Sequence, residues 1–213
     1  MLRLAARLLL LILFTVPVLP ARALGSFDGE AGIFTWVADT NDYIDLGINT
    51  NSVGGYAEGW WDHGWGVRAS LYRVAEDGVV TAPDEQIVID ITHRLLSPTD
   101  NTFLAAGLGW EQNRFGAEGS VSGLRLVGEG RLGVLGALYI YGAGGWAPNM
   151  GGLGLRKDLS SISVEAGAVI DPLPFLSLRV AWRYHITDYT GDITGTRARE
   201  ANYGLVFGGG IHW

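Results

Sequence analysis

His185 and Thr187 stand two residues apart in an alternating run, so on a strand they share one face, an imidazole beside a hydroxyl. That is the least a nucleophilic catalyst needs, a base to take the proton of an attacking oxygen. The other histidines are isolated: His63 falls in a turn, His93 continues an isoleucine row toward a rim, and His212 lies beside the terminal Trp213. Glu76, Asp77, Asp84 and Glu85 crowd one polar segment and could attract a divalent cation, although a solvated loop is the simpler account. There is no cysteine, hence no disulfide, thiolate ligand or thiol nucleophile. No glycine run has the strand–loop–helix setting of a phosphate cradle. With one lysine, Lys157, and an excess of acid, the chain offers no basic footprint for nucleic acid. What remains are arginines and carboxylates interleaved along the alternating segments, and their chemistry depends on the elements that hold them.

The first 23 residues stand apart. Arg3 and Arg7, the apolar run Leu8–Leu19, Pro20 and the box Ala21-Arg22-Ala23 form a secretory signal peptide with cleavage expected after Ala23. The run is too short for a membrane helix, which needs roughly 20 residues. Removing Arg3, Arg7 and Arg22 deepens the net charge from −7 to −10. The 32 glycines are about twice the average frequency of roughly 7%. With 48% hydrophobic residues, disorder is excluded.

The apolar pattern has period two, the period of a strand. Leu176, Leu178, Val180, Trp182, Tyr184 and Ile186 oppose Ser177, Arg179, Ala181, Arg183 and His185. Leu124, Leu126, Gly128, Gly130 and Leu132 oppose Arg125, Val127, Glu129 and Arg131, and Ile162, Val164, Ala166, Ala168 and Ile170 oppose Ser161, Ser163, Glu165, Gly167 and Val169. Strands are expected at 43–49, 54–61, 66–74, 87–94, 102–110, 121–131, 137–146, 160–170, 176–186 and 203–213. Short connections then alternate with long polar ones at 75–86, 111–120, 147–159 and 187–202. Short turns on one rim and long loops on the other mark an outer-membrane barrel, whereas a soluble sandwich has no reason to sort its loops. The fold class is all-β, a transmembrane antiparallel up-and-down barrel. Ten strands are expected, with eight or twelve as alternatives. Residues 24–42 are either a lead-in or the true first strand, in which case 43–61 is one bent strand and the count is again ten.

The last run places Tyr203, Leu205, Phe207, Ile211 and Trp213 on one face and ends on an aromatic residue, which resembles the C-terminal assembly signal of bacterial outer-membrane proteins. Trp61, Trp65 and Trp213 fall at periplasmic strand ends and Trp110 and Trp146 at outer ends, as two aromatic girdles require.

Ser163-Val164-Glu165-Ala166-Gly167, Arg179-Val180-Ala181-Trp182-Arg183-Tyr184 with Thr190-Gly191, and Leu138-Tyr139-Ile140-Tyr141-Gly142 resemble the YfaZ-like family of outer-membrane proteins, diffusely over 43–213. The resemblance implies a small bacterial outer-membrane barrel and brings no catalytic residues. Tyr184-His185-Ile186-Thr187 is similar to the His-x-Ser pair of outer-membrane lipid A deacylases, but with threonine for serine and with His185 turned away from lipid.

If the aliphatic faces meet lipid, the lumen receives Arg68, Arg94, Arg125, Arg131, Arg179 and Arg183 together with Asp45, Glu58, Asp90, Glu129 and Glu165. Buried charges persist only when paired, so mixed signs favour an ion-paired plug. The alternative is a narrow pore, for which the inward glycines Gly107, Gly109, Gly123, Gly167, Gly204, Gly208 and Gly210 would leave room. The expected role is structural or surface-interacting, then a pore, then a lipid-modifying enzyme. Expected partners of a monomer are outer-membrane lipid and the barrel-assembly machinery, with no metal or cofactor.

Overall fold

A computed structural model describes residues 27–41, 48–49, 51–62, 64–74, 82–135 and 137–213. The signal-peptide segment, Asp45, His63, Glu76 and Asp77 lie outside the described residues.

Eleven ladder segments follow in chain order: β1 Phe27–Asn41, β2 Ile48–Asn49, β3 Ser52–Trp61, β4 Trp65–Val74, β5 Glu85–Thr99, β6 Thr102–Phe115, β7 Gly119–Leu135, β8 Leu138–Ala147, β9 Arg156–Leu173, β10 Leu176–Gly191 and β11 Arg197–His212. Each pairs antiparallel with its sequence neighbour from β3 to β11, and β11 pairs with β1, which closes the sheet. β2 and β3 lie along the same edge of β1, opposite Asp39–Thr40 and Phe27–Trp36 respectively, so the wall has ten staves. Residues 27–41 are therefore the first stave, and the second runs from Ile48 to Trp61. Of the expected strand 43–49, Ile48–Asn49 lie on the second stave, and 43–47 lie outside the described residues. Closure matters because hydrocarbon offers no partner to an unpaired backbone group, and here every stave has two neighbours.

The alternation sorts side chains radially. Ile33, Leu108, Leu124, Leu126, Ile140 and Val180 project from the outer wall and are exposed. Arg125, Glu129, Glu58, Asp90 and His185 are buried inside. A soluble protein exposing such a continuous apolar wall would aggregate; a bilayer is its proper solvent. On β4 the outward row runs from Trp65 to Arg73. At about 3.3 Å per residue and a tilt near 40°, that row spans roughly 20 Å of membrane thickness.

The start of β1, Trp213 and the tight turns at Asp100–Asn101 and Pro174–Phe175 share one rim, the periplasmic one in barrels of this class. Trp213 and Gly29 exchange backbone hydrogen bonds of 3.0 and 3.1 Å there. The Trp213 ring lies over Gly29 and the Phe27 ring over Gly59, so two outward glycines seat the aromatics that lock the closing seam.

The outer rim differs from the sequence expectation. The segments 111–120 and 187–202 are mostly strand: β6 and β7 leave only 116–118 as a turn, and β10 and β11 leave only 192–196. Their outward residues turn polar above the apolar band, but the ladders continue, as in the Asp188–Arg199 pair (2.7 and 3.0 Å). Polarity marks the membrane boundary there, not the strand end. Trp146 and the half-buried Trp110 stand near that boundary, Trp110 five residues short of the end of β6.

Candidate functional site

The lumen is the candidate site. In its lower half, adjacent staves set carboxylates beside arginines by register: Glu58 opposite Arg68, and Glu165 opposite Arg183. Arg68 bridges Glu58 (3.1 Å) and Glu129 (2.5 Å), and Arg131 also binds Glu58 across the lumen. Thr92 donates to Glu129 at 2.9 Å. Arg183 holds Glu165 at 2.5 Å, which also accepts from Tyr141 at 2.5 Å. Glu30 accepts from Tyr56, from Ser177 at 2.8 Å and from Arg179 at 3.5 Å. Arginine planes stack on rings, Arg179 on Tyr56 at 4.1 Å and Arg183 on Phe34 at 4.4 Å. Such stacking joins charge pairing to packing.

The upper half is organised by Glu111. Its Oε1 accepts from Gln86 (2.9 Å), Asn113 (2.9 Å) and Ser161 (2.5 Å), and its Oε2 from Arg125 (3.0 Å). Arg125 also meets Asp90 at 3.3 Å. His185 lies beside this carboxylate, with Nε2 2.9 Å from Ser161 Oγ and Nδ1 2.9 Å from the Tyr72 hydroxyl. Ser161 donates to Glu111, Gln86 Nε2 approaches His185 Nε2 at 3.2 Å, and the Tyr72 hydroxyl approaches Nδ1, so both ring nitrogens of His185 are engaged by neighbours. Thr187 is buried and its hydroxyl has no partner among the described residues, so His185 and Thr187 are not brought together as a base and nucleophile.

The outer mouth is covered from within. The loop 148–155 turns inward, with Gly151 and Gly154 at positive φ (84° and 57°), and seats Met150 among Phe115, Val121, Ala147 and Leu159. The Asn149 carbonyl and Met150 lie against Gly123 of β7. Ala82 and Pro83 are buried too, and the Pro83 carbonyl accepts from Asn202 at 3.3 Å. At the lip, above the apolar band, Asp192 sits 2.5 Å from Lys157 and raises its pKa.

The structure places Arg68, Asp90, Arg94, Arg125, Glu129, Arg131, Glu165, Arg179 and Arg183 inside the barrel. Arg94 alone of them has no carboxylate within 4 Å among the described residues. Tyr203, Leu205, Phe207, Ile211 and Trp213 face outward on β11 and the terminus. The inward glycines do not leave open space. Asp90 and Arg125 fill the recess at Gly109, Tyr56 and Glu30 that at Gly210, and Phe34 that at Gly208.

Sequence reasoning missed Glu30, Gln86, Glu111 and Ser161. Gln86 and Glu111 fell in segments assigned to loops, although extending the alternation of 87–94 and 102–110 by one or two residues would have turned both inward. Glu30 lay in the undecided first stave, and Ser161 stood on a polar face without being singled out.

A closed ten-staved antiparallel barrel with an apolar wall and a polar, charge-paired interior defines an outer-membrane β-barrel protein. No family model matches the chain, and no curated protein matches it. Solved structures similar to it include the outer-membrane protease OmpT of Escherichia coli, at 13% identity over 88% of this chain and 96% of that one, TM-score 0.49. Neisserial surface protein A follows at 10% identity over 87% and 96%, TM-score 0.37. Ail, the attachment invasion locus protein of Yersinia pestis, follows at 12% identity over 87% and 99%, TM-score 0.32. These are outer-membrane barrels; at such identities no residue role passes from them to this chain.

Proposed function

We propose that the chain is a monomeric outer-membrane barrel with a closed lumen, serving a structural or surface-interaction role rather than conduction. The observation that carries this is the Glu111 node, where one carboxylate gathers groups from β5, β6, β7 and β9 across the interior. A channel lined that way has its walls tied together through its centre, and the Met150 loop covers it above. Signal-peptide cleavage after Ala23, contact with outer-membrane lipid, handling of β11 by the assembly machinery and YfaZ-like kinship belong to the same reading.

Planar-bilayer recording of the refolded chain tests it. The expected result is no discrete conductance steps at high protein loading; regular steps of one size would overturn the closed-lumen reading in favour of a narrow pore. A lipid-modifying activity finds little support, because His185 is enclosed and both its ring nitrogens are engaged by lumen side chains. Lipid A acylation that changes on overexpression, and reverts with His185→Ala, would reinstate it.

A further inference from the structure

The polar lumen carries an apolar pocket at its outer end. Phe115, Val121, Ala147 and Leu159 line it, with Leu153 and Tyr189 at its edge, and the Met150 side chain fills it. Room for that side chain is built into the wall, because a Cβ at Gly123 would come within 3.2 Å of Met150 Cγ and 2.5 Å of the Asn149 carbonyl. The floor is polar. Asn113 is fully buried there, its Nδ2 lies 3.7 Å from Met150 Sδ and donates to Glu111 at 2.9 Å, and its Oδ1 has no partner among the described residues. An unsatisfied buried acceptor beside an apolar seat asks for a hydrogen-bond donor on an apolar body.

The loop that fills the seat is fastened on one side only. Met150 N–H donates to the Leu159 carbonyl (2.8 Å), Leu159 N–H to that of Gly151 (2.9 Å), and Asp192 N–H to that of Leu155 (2.8 Å). Among the described residues, none of its backbone hydrogen bonds runs to β7. Gly151 follows Met150 at positive φ, and a Cβ there would meet nothing within 4 Å. Methionine is unbranched and flexible, the kind of side chain that fills a gap and leaves it. Its thioether can accept weakly but cannot donate to Asn113 Oδ1. Met150 therefore matches the shape of the seat and leaves its polar floor unanswered.

We propose that this seat is a binding pocket for a short aliphatic alcohol arriving from the outer side, and that Met150 occupies it until the ligand displaces it. The alkyl chain takes the place of the methionine side chain, and the hydroxyl donates to Asn113 Oδ1. A neutral head fits, because Arg156 and Glu118 at the lip are already paired with each other.

The test uses the chain beginning at Leu24, in lipid nanodiscs, where Met150 is the sole native methionine and its 13C-labelled methyl is followed by NMR. The probes are pentan-1-ol, its isomer butyl methyl ether, which has no donor, and pentanoate. Saturable movement of the methyl signal is expected with the alcohol, at least tenfold weaker with the ether and pentanoate. Asn113→Leu should erase the preference for alcohol over ether. Met150→Ala removes the internal competitor and should tighten alcohol binding at least tenfold by calorimetry. If either variant fails to refold, the comparison of the two isomers on the wild-type chain still decides the pocket. A response that rises linearly without saturating is partition into lipid and would overturn it, as would equal response to alcohol and ether, or unchanged affinity in Met150→Ala. Bilayer conductance reads the closed lumen separately, so either idea can fail alone.

Discussion

Replacing Glu111 by glutamine removes one charge and almost no volume, so it isolates electrostatics at the upper lumen. Three neutral donors, from Gln86, Asn113 and Ser161, converge on Oε1, and the Arg125 guanidinium binds Oε2. An amide can present only one oxygen. If that oxygen stays with the three neutral donors, its NH2 confronts Arg125 donor to donor; if it turns to Arg125, the NH2 confronts the other three. Breaking a buried ion pair by removing one partner costs about 3–5 kcal/mol, and Asp90 at 3.3 Å retains part of the arginine's compensation. The expected loss is therefore about 3 kcal/mol. Ser161→Ala, which removes one hydroxyl from the same oxygen, should cost only about 1 kcal/mol. Equilibrium urea unfolding of the chain in phospholipid vesicles, followed by tryptophan fluorescence, gives both values. The double substitution Glu111→Gln with Arg125→Gln should recover about 2 kcal/mol relative to the sum of the single effects, because no cation is left stranded. A Glu111→Gln cost under about 1 kcal/mol, or strict additivity in the double variant, would refute the node as an organising charge.

Three further outcomes follow from the wall. Val180→Arg, in the middle of the lipid-facing row Leu176–Ile186 of β10, should cost about 2–4 kcal/mol in the same assay, while Ser122→Arg at the upper edge of the row on β7 should cost under about 1 kcal/mol. Gly29→Val should expel the Trp213 ring from its seat, since even a Cβ at Gly29 would come within 2.8 Å of it, and the folded band that resists detergent without boiling should weaken or vanish on a gel. Arg199→Ala removes an exposed pair with Asp188 and should change stability by less than about 1 kcal/mol, because solvent screens it.

What was legible in the sequence was whatever depends on parity. A residue two places from Leu124 faces the same way as Leu124, and no packing detail alters that, so the radial position of Arg125 or Arg183 could be read from one strand alone. Strand ends were less legible. Outside the apolar band both faces of a strand are polar, and the alternation that reveals it disappears, as in 187–191 and 197–202. The same blindness hid Glu111 and Gln86. Partnership was illegible for a different reason: Glu111 and His185 are brought together by closure of the sheet, across more than seventy residues of chain, and no local spacing encodes that meeting. The first stave was obscured because Ile48–Asn49 and Ser52–Trp61 are one stave in space and two runs in sequence.

The closed interior explains the composition as well as the site. A narrow barrel cannot fill its lumen with large side chains on every stave, so bulky groups must face small ones. Trp60 lies over Gly66, Phe34 over Gly54, and Arg125 against Gly145. These three inward glycines are thus the complements of a ring or guanidinium on a neighbouring stave, which accounts for part of the glycine excess without invoking a channel. It also sets where charge can go. An arginine can deliver its guanidinium well into the lumen, within reach of a carboxylate from a stave it does not adjoin, as Arg131 on β7 reaches Glu58 on β3. Local register supplies half of the pairs and this long reach supplies the rest. A glycine-to-alanine change at 145 should therefore act on the Arg125–Glu111 pair rather than on the wall, and its cost should shrink when Arg125 is already replaced.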